Sequence, residues 1–146
     1  MVMKIDTTRF GVVEVDESLI FNFISPIIGF EEAQFFVLIE NDDNNIFRWL
    51  QSTQYPELAF PVSKASYFQI DYNFEIDDKT VEMLGFESID DVLSLNIVNI
   101  PKGQPQKSTI NLLAPVIINK RTQVAAQLIL NGSEYLVKQP IFPQEV

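Results

Sequence analysis

The stretch Ser108-Thr109-Ile110-Asn111-Leu112-Leu113-Ala114-Pro115-Val116-Ile117-Ile118-Asn119 decides the fold class, because it is dense in β-branched and aliphatic residues yet carries a proline inside it. Such residues suit a pleated, buried surface, whereas proline has no N–H to give to a ladder. The run therefore predicts β structure with Pro115 at an edge or a bulge. A basic turn, Lys120-Arg121, follows, and then an alternating strand through Val124, Ala126, Leu128 and Leu130.

Outward from that run the chain reads as short alternating or β-branched segments near residues 4–9, 11–16, 19–23, 34–40, 46–52, 57–62, 69–75, 92–100, 109–118, 123–131 and 134–138. Clean alternation at Asn73-Phe74-Glu75-Ile76 and Leu93-Ser94-Leu95-Asn96-Ile97 implies sheets with one buried and one wet face, hence antiparallel pairing. Asn41-Asp42-Asp43-Asn44-Asn45 and Asn131-Gly132 read as hairpin turns, and the segment from Lys102 to Lys107 as a loop. Helix is confined to one or two short turns. One spans 78–84, capped by Asp77 and stopped by Gly85; a second starts at Ser88, with Asp91 completing a capping box. The pattern predicts an all-β chain, a small antiparallel barrel or sandwich, forming one domain over residues 1–146 with a tail from Pro140 that frays.

Composition narrows the chemistry. A chain of 146 residues buries roughly 70% of its unfolded surface, and 47% hydrophobic content with 12 Phe excludes disorder despite a net charge of −10. The absence of His and Cys removes the commonest general base, thiolate nucleophiles, disulfides and the usual zinc ligands. No catalytic residue, metal or cofactor is expected. No run reaches the length of a signal-peptide core or a membrane span, so a cytoplasmic location is expected. Charge is uneven: residues 1–100 carry a net −13 and residues 101–146 a net +3. Between 71 and 91, eight acids face Lys79 alone, a surface that repels nucleic acid and attracts a basic protein.

Several motifs reduce to structure. A calcium loop begun at Asp42 needs Gly at its sixth position and Glu at its twelfth, where this chain has Phe47 and Thr53. The pairs Asp77/Asp78 and Asp90/Asp91 sit at helix starts, which points to capping rather than acid/base work. Phe21, Phe23, Phe30, Phe35, Phe36, Phe47 and Trp49 lack the positive groove of a stacking platform and are assigned to core, with a protein-binding patch as the alternative.

Taken in order, Thr8-Arg9-Phe10-Gly11-Val12-Val13-Glu14-Val15, Ile28-Gly29-Phe30-Glu31-Glu32, Leu50-Gln51-Ser52, Leu58-Ala59-Phe60, Asp71-Tyr72-Asn73-Phe74 and the run at 108–119 resemble segments of the FliW family of flagellar assembly factors over roughly residues 3–137. Two departures stand out: Phe23-Ile24-Ser25-Pro26 replaces a usual second glycine, and Asn73 stands where many members have an acid. The resemblance implies a compact β-barrel-like domain that binds flagellin. When flagellin is depleted, it implies binding to the translational repressor CsrA, which relieves repression of the flagellin message. Under it, Asp71, Tyr72, Asn73, Phe74, Glu75, Asp77 and Asp78 are the expected CsrA contacts, and the apolar region around Phe23 and Phe30 is the candidate flagellin surface. Two other classes compete: a barrel holding a small apolar ligand in unfilled interior space, and an enzyme acting through paired carboxylates.

Overall fold

The computed structural model describes residues 1–40 and 46–142, so the turn expected at Asn41–Asn45, with its calcium alternative, lies outside the described residues. Among the described residues there are eleven strands, interspersed with a few short helical turns: β1 (Val2–Thr7), β2 (Gly11–Asp16), β3 (Phe21–Ser25), β4 (Phe35–Glu40), β5 (Arg48–Ser52), β6 (Ala59–Ser63), β7 (Val92–Asn99), β8 (Thr109–Ile110), β9 (Val116–Asn119), β10 (Val124–Gln127) and β11 (Gln139–Pro140). Helix α1 (Asp78–Leu84) stands between β6 and β7. The all-β expectation holds, and the form is a closed seven-strand barrel in the order β3-β4-β5-β6-β7-β9-β10.

Neighbours around the barrel are antiparallel except β3 and β10, which close it in parallel. Alternation predicts antiparallel pairing, which holds at six of the seven seams of the barrel. Seven strands that alternate in direction return to the start pointing the same way, so one seam must be parallel. Side chains from all seven barrel strands fill the interior: Phe21, Phe23, Phe36, Leu50, Val62, Leu95, Val116, Ile118 and Ala125 are all buried. Phe23 and Phe36 meet edge to face at 5.1 Å.

The aliphatic run with Pro115 explains its own proline. Both β8 and β9 pair with β7, Ile110 opposite Val98 and Val116 opposite Leu95. Asn96 and Ile97 on β7 thus face five residues, Asn111–Pro115, which swell out of the ladder as a wide bulge. The expected bulge is present, although it splits the 109–118 segment into two strands. Asn111 braces it, its Oδ1 accepting the Ala114 N–H at 3.0 Å. Pro115 then needs no donor, and its carbonyl accepts the Leu128 N–H at 2.9 Å.

The outer wall is covered in pieces. The β1–β2 hairpin lays Ile5 and Val15 on Val37 of β4, and α1 lays Leu84 on Ile117 and Ala126. Helix α1 has the expected limits: the Asp77 side chain accepts from Thr80 N–H and Gly85 ends it in the left-handed conformation. The turn after Ser88 carries the expected capping box with Asp91. Gly132, at φ +81°, supplies the turn at Asn131-Gly132, closed by Ser133 N–H on Leu130 O. Pro140 and Ile141, where the sequence suggests that fraying starts, instead pair with Thr109 and lie buried, respectively.

Two segments expected as strands are not strands. Residues 134–138 contribute one backbone–backbone bond among the described residues, Leu112 N–H to Leu136 O. Among the described residues, residues 69–75 join no strand ladder. Replacing Leu50, fully enclosed in the barrel, by Ala should lower stability by about 2–5 kcal/mol, whereas Asp77→Ala should lower it by about 1 kcal/mol through loss of the cap. Urea unfolding of the two variants checks the ordering; a larger loss for Asp77→Ala would contradict it.

Candidate functional site

Residues 70–77 form a strap across the outside of the barrel. Gln69, at φ 58°, turns the chain out of a short 3-10 turn at Ala65–Phe68, and α1 receives it at Asp77. Along the strap, exposure alternates residue by residue: Asp71, Asn73, Glu75 and Asp77 are exposed, and Ile70, Tyr72, Phe74 and Ile76 are half-buried. The period of two marks extended backbone even without a ladder. Its inward side chains bridge two apolar clusters. Ile70 and Tyr72 pack on Val98, Ile110 and Leu112, while Phe74 and Ile76 pack on Ile117, Ala126 and Leu84.

Tyr72 pins the strap to the bulge. Its hydroxyl donates to Leu112 O at 2.6 Å and accepts from Asn96 Nδ2 at 3.3 Å, and Asn96 Nδ2 also donates to Asn111 O at 2.8 Å. The Tyr135 ring stands edge-on to Tyr72 at 4.7 Å. Its hydroxyl accepts from Asn73 N–H at 2.8 Å and donates to Asn73 O at 2.7 Å. At the far end Asn119 Nδ2 donates to Leu84 O at 2.8 Å, and Arg121 donates to Gly85 O and lies 3.4 Å from Asp91. These ties hold α1 and the turn after it on the barrel.

The expected CsrA contacts therefore divide by direction. Asp71, Asn73 and Glu75 present their side chains outward, Tyr72 and Phe74 face the barrel, Asp77 is occupied in capping and Asp78 lies exposed in the first turn of α1. Asn73 Nδ2 donates to Asp71 Oδ1 at 2.9 Å, so Asn73 takes part in the polar row where an acid is usual. Hydrogen bonds from Thr80 hold the Asp77 carboxyl below the usual carboxylate range, and the Glu87 N–H does the same for Asp91.

The two candidate flagellin residues are not brought together at one surface. Phe23 is 3% exposed inside the barrel, because inward-facing positions of β3 belong to the core. Phe30 is 42% exposed, packs edge-on against Phe60 at 5.0 Å and lines a 420 Å³ cleft with Glu31, Glu32, Tyr55 and Glu57. The ties by which Asn96, Asn119 and Tyr135 hold the strap and α1 carry no local sequence signal, since they join positions 15 to 62 residues apart.

Burial pushes the Tyr72 hydroxyl up to about 12, against the hydrogen bond from Asn96. Its folded pKa lies above the value of 10.0 for a free tyrosine, so its contribution to stability is intact below about pH 10 and is lost as pH rises toward 12. Tyr72→Phe should remove the last phenol ionisation from a 295 nm titration and lower stability at neutral pH by about 1–3 kcal/mol, since Leu112 O loses its donor. An unchanged final step in the variant would contradict this placement.

Comparison with known proteins agrees with this architecture. The family model described as FliW protein matches residues 4–141. The chain is 36% identical to the flagellar assembly factor FliW of Caldanaerobacter subterraneus, covering 97% of this chain and 95% of that one. It is 40% identical to the FliW of Bacillus licheniformis, over 95% and 96% of the two chains. A crystal structure of the flagellar assembly factor FliW superposes with a TM-score of 0.90 at 32% identity, covering 99% of this chain and all of that one. A barrel with this strand order, matched from end to end in sequence and in structure, places the chain in the FliW family of flagellar assembly factors.

Proposed function

We propose that this protein binds flagellin and, when flagellin is depleted, binds the RNA-binding translational repressor CsrA and keeps it off the flagellin message. The observation that carries the CsrA half is the strap, which holds Asp71, Asn73 and Glu75 outward in one polar row followed by Asp77 and Asp78. An RNA-binding protein presents a basic surface, and a fixed acidic row steers it while repelling RNA itself. The proposal has the protein act by binding in the cytoplasm rather than by catalysis. A sequence without His or Cys suits that role. No helix among the described residues is long and apolar enough to cross a membrane.

The apolar-ligand alternative finds little support, since the barrel interior holds large side chains such as Phe21, Phe23, Phe36 and Leu50. For flagellin, Phe30 and its cleft remain the candidate contact, and Phe23 drops out by burial.

Because Asp77 caps α1, the informative charge reversal is Asp71→Lys with Glu75→Lys. Calorimetric titration of CsrA into this variant should show affinity weaker by about 1–3 kcal/mol, with a steeper salt dependence for the wild type than for the variant. Unchanged urea unfolding would show that the fold is intact. Wild-type affinity in the variant would move the CsrA contact off the strap.

A further inference from the structure

The strap has a bare edge. Asn73 directs both its N–H and its C=O to the Tyr135 hydroxyl, so in an extended chain Glu75 points its backbone groups to that same side. Tyr72, Phe74 and Ile76 point theirs to the opposite side. There, among the described residues, none of these three N–H groups meets an acceptor and none of the three carbonyls meets a donor. They span about 17 Å at the rise of an extended chain.

That edge opens onto room of the right character. A 630 Å³ cleft lies beside Phe74 and Ile76, walled by Val81, Phe86, Ile89 and Val92, and Ile89 is 81% exposed. A second, more polar cleft of 280 Å³ lies beside Tyr72 and Phe74, next to Ala65, Ile70, Ser94 and Asn96. A strand laid along the edge would alternate in step with the strap. Its inward side chains would enter these clefts, the apolar one beside Phe74 and Ile76 first, and its outward side chains would lie beside Asp71, Asn73, Glu75 and Asp77. A second copy of this chain does not fit, because two straps side by side would set acid against acid.

We propose that the Tyr72–Ile76 edge takes up an extended segment of a partner by strand addition, the segment alternating lysine or arginine with aliphatic residues. The inference rests on the partner-binding role proposed above and adds its mode: main-chain hydrogen bonds supply the affinity, and the clefts and the acidic row supply the selection. It also explains why an alternating segment is kept unpaired on a barrel that otherwise has its strands hydrogen-bonded.

The probe is a capped octapeptide alternating lysine and valine, titrated into the ¹⁵N-labelled protein with amide exchange read residue by residue. Bound peptide should slow exchange at Phe74 and Ile76 at least tenfold and leave Glu75 unchanged. Two N-methylated versions of the peptide, each blocking alternate backbone nitrogens, should differ at least tenfold in affinity, because only one set faces the strap. No binding, no protection at Phe74 and Ile76, or equal affinity of the two methylated peptides would overturn strand addition. The same exchange measurement with CsrA separates the two proposals. CsrA that binds without protecting Phe74 and Ile76 overturns strand addition alone, and a protein that binds the peptide but not CsrA overturns the CsrA reading alone.

Discussion

The pairing of one long strand, β7, with the interrupted segment 109–119 is the constraint on which the rest of the molecule depends. Had that segment run straight, its ladder would have carried Pro115 at an interior position that needs a donor. The three surplus residues instead leave the ladder between Ile110 and Val116, and Asn111 and Pro115 each satisfy the distortion in a different way. The bulge turns the carbonyls of Asn111 and Leu112 toward Asn96 and Tyr72. A backbone irregularity in the barrel wall thereby becomes the anchor for a segment that joins no strand ladder among the described residues.

The strap consequently owes its position to side chains. Buried apolar contacts and the hydrogen bonds of Tyr72 and Tyr135 hold it from beneath, so its outward row and its free edge are left for other uses. Such an arrangement separates stability from recognition. Changes at Asp71 or Glu75 alter the charge offered to a partner and touch little of the packing, while changes at Tyr72 loosen the segment without altering its charge. The helix that follows enforces the same division, because Asp77 is drawn into capping and its carboxylate serves the fold.

What the sequence reveals here is local. The limits of α1, the Ser88 and Asp91 box and the bulge at Pro115 each follow from residues within a few positions of one another. The alternation at 71–77 correctly tells which side chains face out, but it cannot tell whether an extended chain has a neighbouring strand, and among the described residues this one has none. The parallel seam between β3 and β10 follows from the number of strands in the ring, which no single segment encodes. Phe23 and Phe30 look alike in sequence, yet one points into the barrel and the other lies in a loop at a cleft. The polar ties made by Asn96, Asn119 and Tyr135 join distant positions, and an asparagine destined for burial reads in sequence like any turn residue.

The deciding question is where a basic partner touches this chain. Cross-saturation from protonated CsrA to the deuterated, ¹⁵N-labelled protein reports that contact directly at backbone amides. The account predicts the strongest transfer at residues 71–76, with weaker transfer at the Phe86 to Ile89 side of the neighbouring cleft. Transfer concentrated on the β1–β2 hairpin or around Phe30, with the strap amides unaffected, would contradict it.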